Sequence, residues 1–74
     1  MTPSESAQLK NRIRKLRFEH GEMTQQELAG KIGLTRQTVN AIEQGKYSPS
    51  LEAAFRIAAV FGKPLESVFH YSRE

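Results

Sequence analysis

Cysteine and aspartate are both missing from the 74 residues. Without cysteine there is no disulfide to staple the fold and no thiolate for a metal, a composition that suits a reducing cytoplasm. Without aspartate, the acidic groups are glutamates alone, spread along the chain and mostly beside basic residues. Paired carboxylates for acid–base catalysis are therefore not expected. The two histidines, His20 and His70, stand too far apart in sequence to predict a metal site. The glycines near Lys31 and Lys46 lack the spacing of a phosphate-binding loop. No apolar run approaches the roughly 20 residues of a membrane span, and the first residues lack the apolar centre of a signal peptide. These absences predict a chain that is not an enzyme, holds no cofactor or metal and does not enter a membrane.

What is present fits one small domain. A chain of this length buries roughly 60% of its unfolded surface, so its core is small. Eleven Lys and Arg against eight Glu leave a net charge of +3 and a pI near 9.6. That excess is compatible with a polyanionic partner, and equally with ordinary solubility.

Along the chain, residues 1–5 read as a flexible lead-in and 6–69 as the domain, with 70–74 as a tail. A first helix is predicted from about Ser4–Ser6 to Glu19 or His20, burying Leu9, Ile13 and Leu16 at i, i+4, i+7. Lys10, Arg12, Arg14, Lys15 and Arg17 crowd it with positive charge, and Gly21 ends it. Thr24 and Glu27 have the spacing of a capping box for a second helix, from about Gln25 to Lys31. Gly33 can take the positive φ that stops it. Thr35 caps a third helix, from about Arg36 to Gln44, and Gly45 closes that one. Ser50 caps a fourth helix, Leu51 to Phe61, with Leu51, Ala54, Ala58 and Phe61 inward and Phe55 and Ile57 on its flanks. Pro64 opens a short fifth helix ending near Val68.

The stretch from Thr24 to Lys46 organises the rest. Leu28, Ala29 and Ile32 face inward from one helix, Val39 and Ile42 from the next, and Leu34 tucks beneath the turn. Between the inward residues of the later helix runs an outward row: Arg36, Gln37, Asn40 and Gln44. This is a helix-turn-helix pattern. With Gln25, Leu28-Ala29, Ile32-Gly33-Leu34, Val39, Ile42 and Glu43-Gln44-Gly45-Lys46 in order, the chain resembles the Cro/repressor-type, XRE-like helix-turn-helix family from about Ile13 to Phe69. The resemblance implies an all-α, compact five-helix, lambda-repressor-like DNA-binding domain. It also implies sequence-specific binding of double-stranded DNA by a transcriptional regulator, with repression the expected outcome; no small-molecule effector is expected. Family members usually carry a polar or charged residue where Gly30 stands, so a contact made there by relatives is absent.

Site residues follow from this geometry and from the resemblance. Arg36 and Gln37 open the recognition helix and suit guanine O6/N7 and adenine N6/N7. Asn40, one turn on, reads a base or the backbone. Gln25 adds its side-chain amide to a phosphate contact at a helix N-terminus, as the matching family residue does. Thr35 divides its hydroxyl between capping and phosphate, and Lys46 and Tyr47 meet the flanking phosphate. By resemblance, Arg17 and Glu43 form a structural pair. Leu65 and Val68 are expected in the core, which leaves Phe69 and Tyr71 for a homodimer contact. The competing reading is a protein-interaction module, an antitoxin or coactivator-like adaptor on the same fold. The polar, basic outward row favours DNA.

Overall fold

The structure is a computed structural model that describes residues 7–73; the predicted lead-in lies outside them. Seven elements follow in order: β1 (Ala7–Asn11), α1 (Ile13–Glu19), α2 (Gln25–Ile32), α3 (Arg36–Glu43), α4 (Leu51–Phe61), α5 (Leu65–Val68) and β2 (Phe69–Arg73). The five helices are those expected. The strands are an addition that shortens the first helix.

Leu9 was expected on the buried stripe of that helix. It lies instead in β1, 38% exposed, because Ala7–Asn11 pair antiparallel with β2 in the register Leu9↔Tyr71 and Asn11↔Phe69. Residues 70–73 of the expected tail are the other half of this ribbon. Arg12 N–H extends the ladder to Val68 C=O at 2.9 Å. An isolated two-stranded ribbon is marginal in water, and this one is anchored at its base. Phe69 is buried, 8% exposed, in the chain's own core. That corrects the expectation that Phe69 is left over for a second copy: with Phe69 paired to Asn11 at the base of the ribbon, its side chain is buried in the core.

Helix ends obey local chemistry. In α2, Thr24 Oγ1 accepts the Glu27 N–H at 3.0 Å while Glu27 Oε1 accepts the Thr24 N–H at 2.8 Å. The bond from the Thr24 backbone, then that from its hydroxyl, holds the Glu27 carboxyl below its ordinary value. This cap therefore contributes at neutral pH and is lost as pH falls through the lowered value. Gly33 ends α2 with φ +75, and Leu34 N–H returns to Ala29 C=O at 3.0 Å.

Ile13, Leu16, Leu28, Ala29, Ile32, Val39, Ile42, Ala54, Ile57, Ala58, Phe61, Val68 and Phe69 make one core. On α4 the buried stripe is Ala53, Ala54, Ile57, Ala58 and Phe61, which corrects two assignments. Ile57 is central rather than flanking, and Leu51 is 70% exposed. At about 3.6 residues per turn, Leu51 sits roughly a quarter turn from the stripe's centre, in the first turn of the helix.

Asn11 joins the ribbon to the helices. Its Oδ1 accepts the Ile13 N–H at 3.1 Å, turning the chain into α1. Its Nδ2 donates to Ile42 C=O at 2.9 Å and more weakly to Glu43 C=O at 3.4 Å, at the C-terminal end of α3. Asn11→Ala is expected to destabilise the domain by about 1–2 kcal/mol, read from urea midpoints at unchanged slope. Asn11→Asp keeps the acceptor for Ile13 but sets a carboxylate against carbonyls, and should cost at least as much. Full stability in the Asp variant would show that the α3 contact contributes nothing.

Candidate nucleic-acid interface

α3 is the element to which the rest of the fold gives position. Val39 and Ile42 are buried against the core, while Arg36, Gln37 and Gln44 are exposed. Thr35 caps the helix, its Oγ1 accepting Thr38 N–H at 3.1 Å and lying 2.9 Å from the Thr38 hydroxyl. The hydroxyl is thus held at the helix start. Lys46 and Tyr47 follow the C-terminus, both exposed, where Lys46 N–H returns to Ala41 C=O at 2.9 Å.

Behind α3 stands the Arg17–Glu43 pair. Arg17 Nε donates to Glu43 Oε2 at 2.7 Å and Nη2 to Oε1 at 3.1 Å, with the side chains 10% and 7% exposed. Arg17 Nη1 also donates to Met23 C=O at 2.7 Å, tying in the loop before α2. Three segments therefore meet on one guanidinium. The planar fork suits this because its donors are fixed in direction.

The network continues outward. Gln25 Nε2 donates to Glu43 Oε1 at 3.2 Å and to Asn40 Oδ1 at 3.0 Å. Gln44 Nε2 reaches the same Asn40 oxygen at 3.4 Å. Gln25 and Asn40 are thus brought together with the ion pair, whereas Arg36 and Gln37 stand apart at the other end of α3. In this arrangement both Nε2 protons of Gln25, the side chain expected at a phosphate, are engaged by Asn40 and Glu43.

Two contributors escaped sequence reasoning. Asn11 grips the end of α3, and its signal was an asparagine two residues before Ile13 in a basic stretch. Arg14 borders the same shallow basin as Phe18, Gln25, Asn40 and Gln44, with its guanidinium 5.8 Å from the Phe18 ring centroid. It lies three residues before Arg17, and that spacing already put it on the Arg17 side of α1.

Because the Arg17–Glu43 pair is buried, removing either partner strands a charge. Arg17→Ala and Glu43→Ala should each cost up to about 3–5 kcal/mol, and the double variant less than their sum. Strictly additive losses in a double-mutant denaturation cycle would show that the two side chains do not couple.

Comparison with known proteins agrees with this geometry. The helix-turn-helix family profile matches residues 13–68. An uncharacterized HTH-type transcriptional regulator of Methanocaldococcus jannaschii is 49% identical over 63 residues, covering 85% of this chain and 94% of that one. Another, from Archaeoglobus fulgidus, is 46% identical over 66 residues, covering 89% and 93%. The crystal structure of a protein from Bacteroides fragilis described as DNA-binding superposes with a TM-score of 0.72 at 21% identity, over 84% of this chain and 98% of that one, and so shares the fold. The chain belongs to the helix-turn-helix family.

Proposed function

We propose that this chain is a DNA-binding transcriptional regulator that reads double-stranded DNA in the major groove with α3. The observation that carries this reading is the division of α3 into a buried face, Val39 and Ile42, and an exposed start bearing Arg36 and Gln37. The relatives named as transcriptional regulators support it. Arg36 suits guanine, and Gln37 suits adenine. Thr35, Lys46 and Tyr47 take flanking phosphates, joined by the first backbone amides of α2 at Gln25 and Gln26. So small a domain on a promoter acts first by excluding other proteins, so repression is the outcome proposed, with the cytoplasm as its place of action.

In this role the chain works as a homodimer. Leu9 and Tyr71, opposite each other across the ribbon, are 38% and 68% exposed. With Phe69 in the core, this apolar pair is what the ribbon offers a second copy. A two-fold contact would set the two α3 helices about 34 Å apart on one side of B-DNA, and the operator would be a near-palindrome.

Arg36→Ala should lose about 1–3 kcal/mol on a duplex selected from a random pool and relax one base position. An unchanged selected sequence at every position would remove the assignment of direct readout. For assembly, sedimentation at micromolar concentration should give a dimer for wild type and a monomer for Tyr71→Ser. A wild-type monomer under all conditions, bound to one asymmetric site, would rule out the homodimer.

A further inference from the structure

We infer that the buried Arg17–Glu43 pair dictates which way the Asn40 amide faces, and so makes Asn40 a donor-only reader of a base edge. This rests on the DNA-binding reading above and deepens it.

The steps follow from what each group can donate or accept. A guanidinium carries donors only, and Arg17 gives two of them to the two oxygens of Glu43. The Glu43 carboxylate has only acceptors. An amide in contact with Glu43 Oε1 must then present its NH2, and Gln25 does so at 3.2 Å. The second proton of the same NH2 needs an oxygen, which is Asn40 Oδ1 at 3.0 Å. Asn40 therefore turns its oxygen inward, and its Nδ2 is left for the outer side of α3. Turning Gln25 round would set its carbonyl oxygen against a carboxylate. Turning Asn40 round would set one NH2 against another. Each reversal loses a hydrogen bond and adds a repulsion in a half-buried setting, where both count for more than in water. The orientation of a groove-facing amide is thus set by a charge that never reaches the surface.

The consequence is a choice of base. An asparagine free at both ends pairs with adenine, donating to N7 and accepting from N6–H. Asn40 lacks the accepting half, because its oxygen already takes Gln25 and, at 3.4 Å, Gln44. What remains fits edges rich in acceptors: guanine with O6 and N7, or thymine with O4. Cytosine N4–H opposes it, and adenine is the poorer partner because only its N7 is served while N6–H is left without an acceptor. Asn40 is accordingly a specificity-determining residue beside Arg36 and Gln37, and Gln25 the residue that positions it.

Selection of duplexes from a random pool by wild type, Asn40→Ala and Gln25→Met tests this. The position at which Asn40→Ala loses its preference is the one Asn40 reads, and wild type should take guanine or thymine there. Gln25→Met keeps the length of the side chain and leaves Arg17–Glu43 in place, but releases Asn40 Oδ1. The exposed Gln44 contact is too long to hold it alone. That variant should admit adenine at the same position, with discrimination against it falling about tenfold. An unchanged preference in Gln25→Met would overturn the positioning, and an Asn40→Ala variant that flattens no position would overturn the base contact. A readout without DNA separates the causes. In the nuclear magnetic resonance spectrum of wild type, the Gln25 side-chain NH2 should exchange slowly with solvent and the Asn40 NH2 rapidly. Fast exchange at Gln25 would overturn the relay whatever the DNA result. A slow Gln25 in a protein that selects no sequence would instead overturn the base-reading role together with the proposed function.

Discussion

The structure depends on one buried ion pair. Arg17 comes from α1 and Glu43 from the last turn of α3, and both are almost shut off from water. Two charges removed from solvent add little net stability, because the desolvation cost offsets most of their attraction. What the pair supplies is direction. A guanidinium with three bonded nitrogens has one orientation relative to its acceptors, and those acceptors lie on α3 and in the loop that leads into α2. Apolar packing of Leu28, Ala29, Val39 and Ile42 holds the two helices of the motif together. It is less able to fix rotation about the α3 axis, since dispersion has no preferred direction. If α3 turned by a few tens of degrees it would keep its core and shift every side chain of its exposed row.

The ribbon addresses a different weakness. A core of this size has little margin, and the two ends of a small domain are where fraying begins. Here the ends pair with each other, Ala7–Asn11 against Phe69–Arg73. Asn11 then couples the ribbon to the end of α3 opposite Thr35. The recognition helix is thus held at its start by a threonine cap and along its buried side by Val39 and Ile42. Glu43 and the Asn11 amide hold its end. Its free surface is the row from Arg36 to Gln44. Rigidity there lowers the entropy lost when a partner binds.

Much of this was legible in the sequence, and the parts that were not have physical reasons. Caps and glycine turns are local chemistry, so Thr24, Gly33, Thr35 and Ser50 marked the helix ends well. The helix-turn-helix came through because its apolar positions satisfy one geometry only. The first strand did not come through. Leu9, Ile13 and Leu16 have helical spacing, and Ala-Gln-Leu-Lys-Asn has little strand preference of its own. β1 is a strand because β2 lies beside it, some sixty positions away in the chain, and no local pattern reports a partner that distant. Phe69 was misplaced for the same reason: without the ribbon, nothing turned its ring inward. On α4 the error was smaller, since five apolar residues among the first seven left the centre of the stripe ambiguous until Ile57 was seen at the middle.

The candidate site shows a subtler limit. Arg36, Gln37, Gln25 and Asn40 were all identified as polar residues on or near one face, but residue type does not state polarity at the surface. An amide offers a donor at one end and an acceptor at the other, and which end is free depends on what the first end already holds. For Gln25 that question is answered by Glu43, and for Asn40 by Gln25. Glu43 is in turn answered by Arg17, a residue on another helix. A change at Glu43 would not remove any group from the row that Asn40 belongs to, yet it would free both amides to turn. The same row could then present a different pattern of donors and acceptors. The motif's outward residues therefore do not carry their meaning alone: which end of an amide they present depends on side chains in the core.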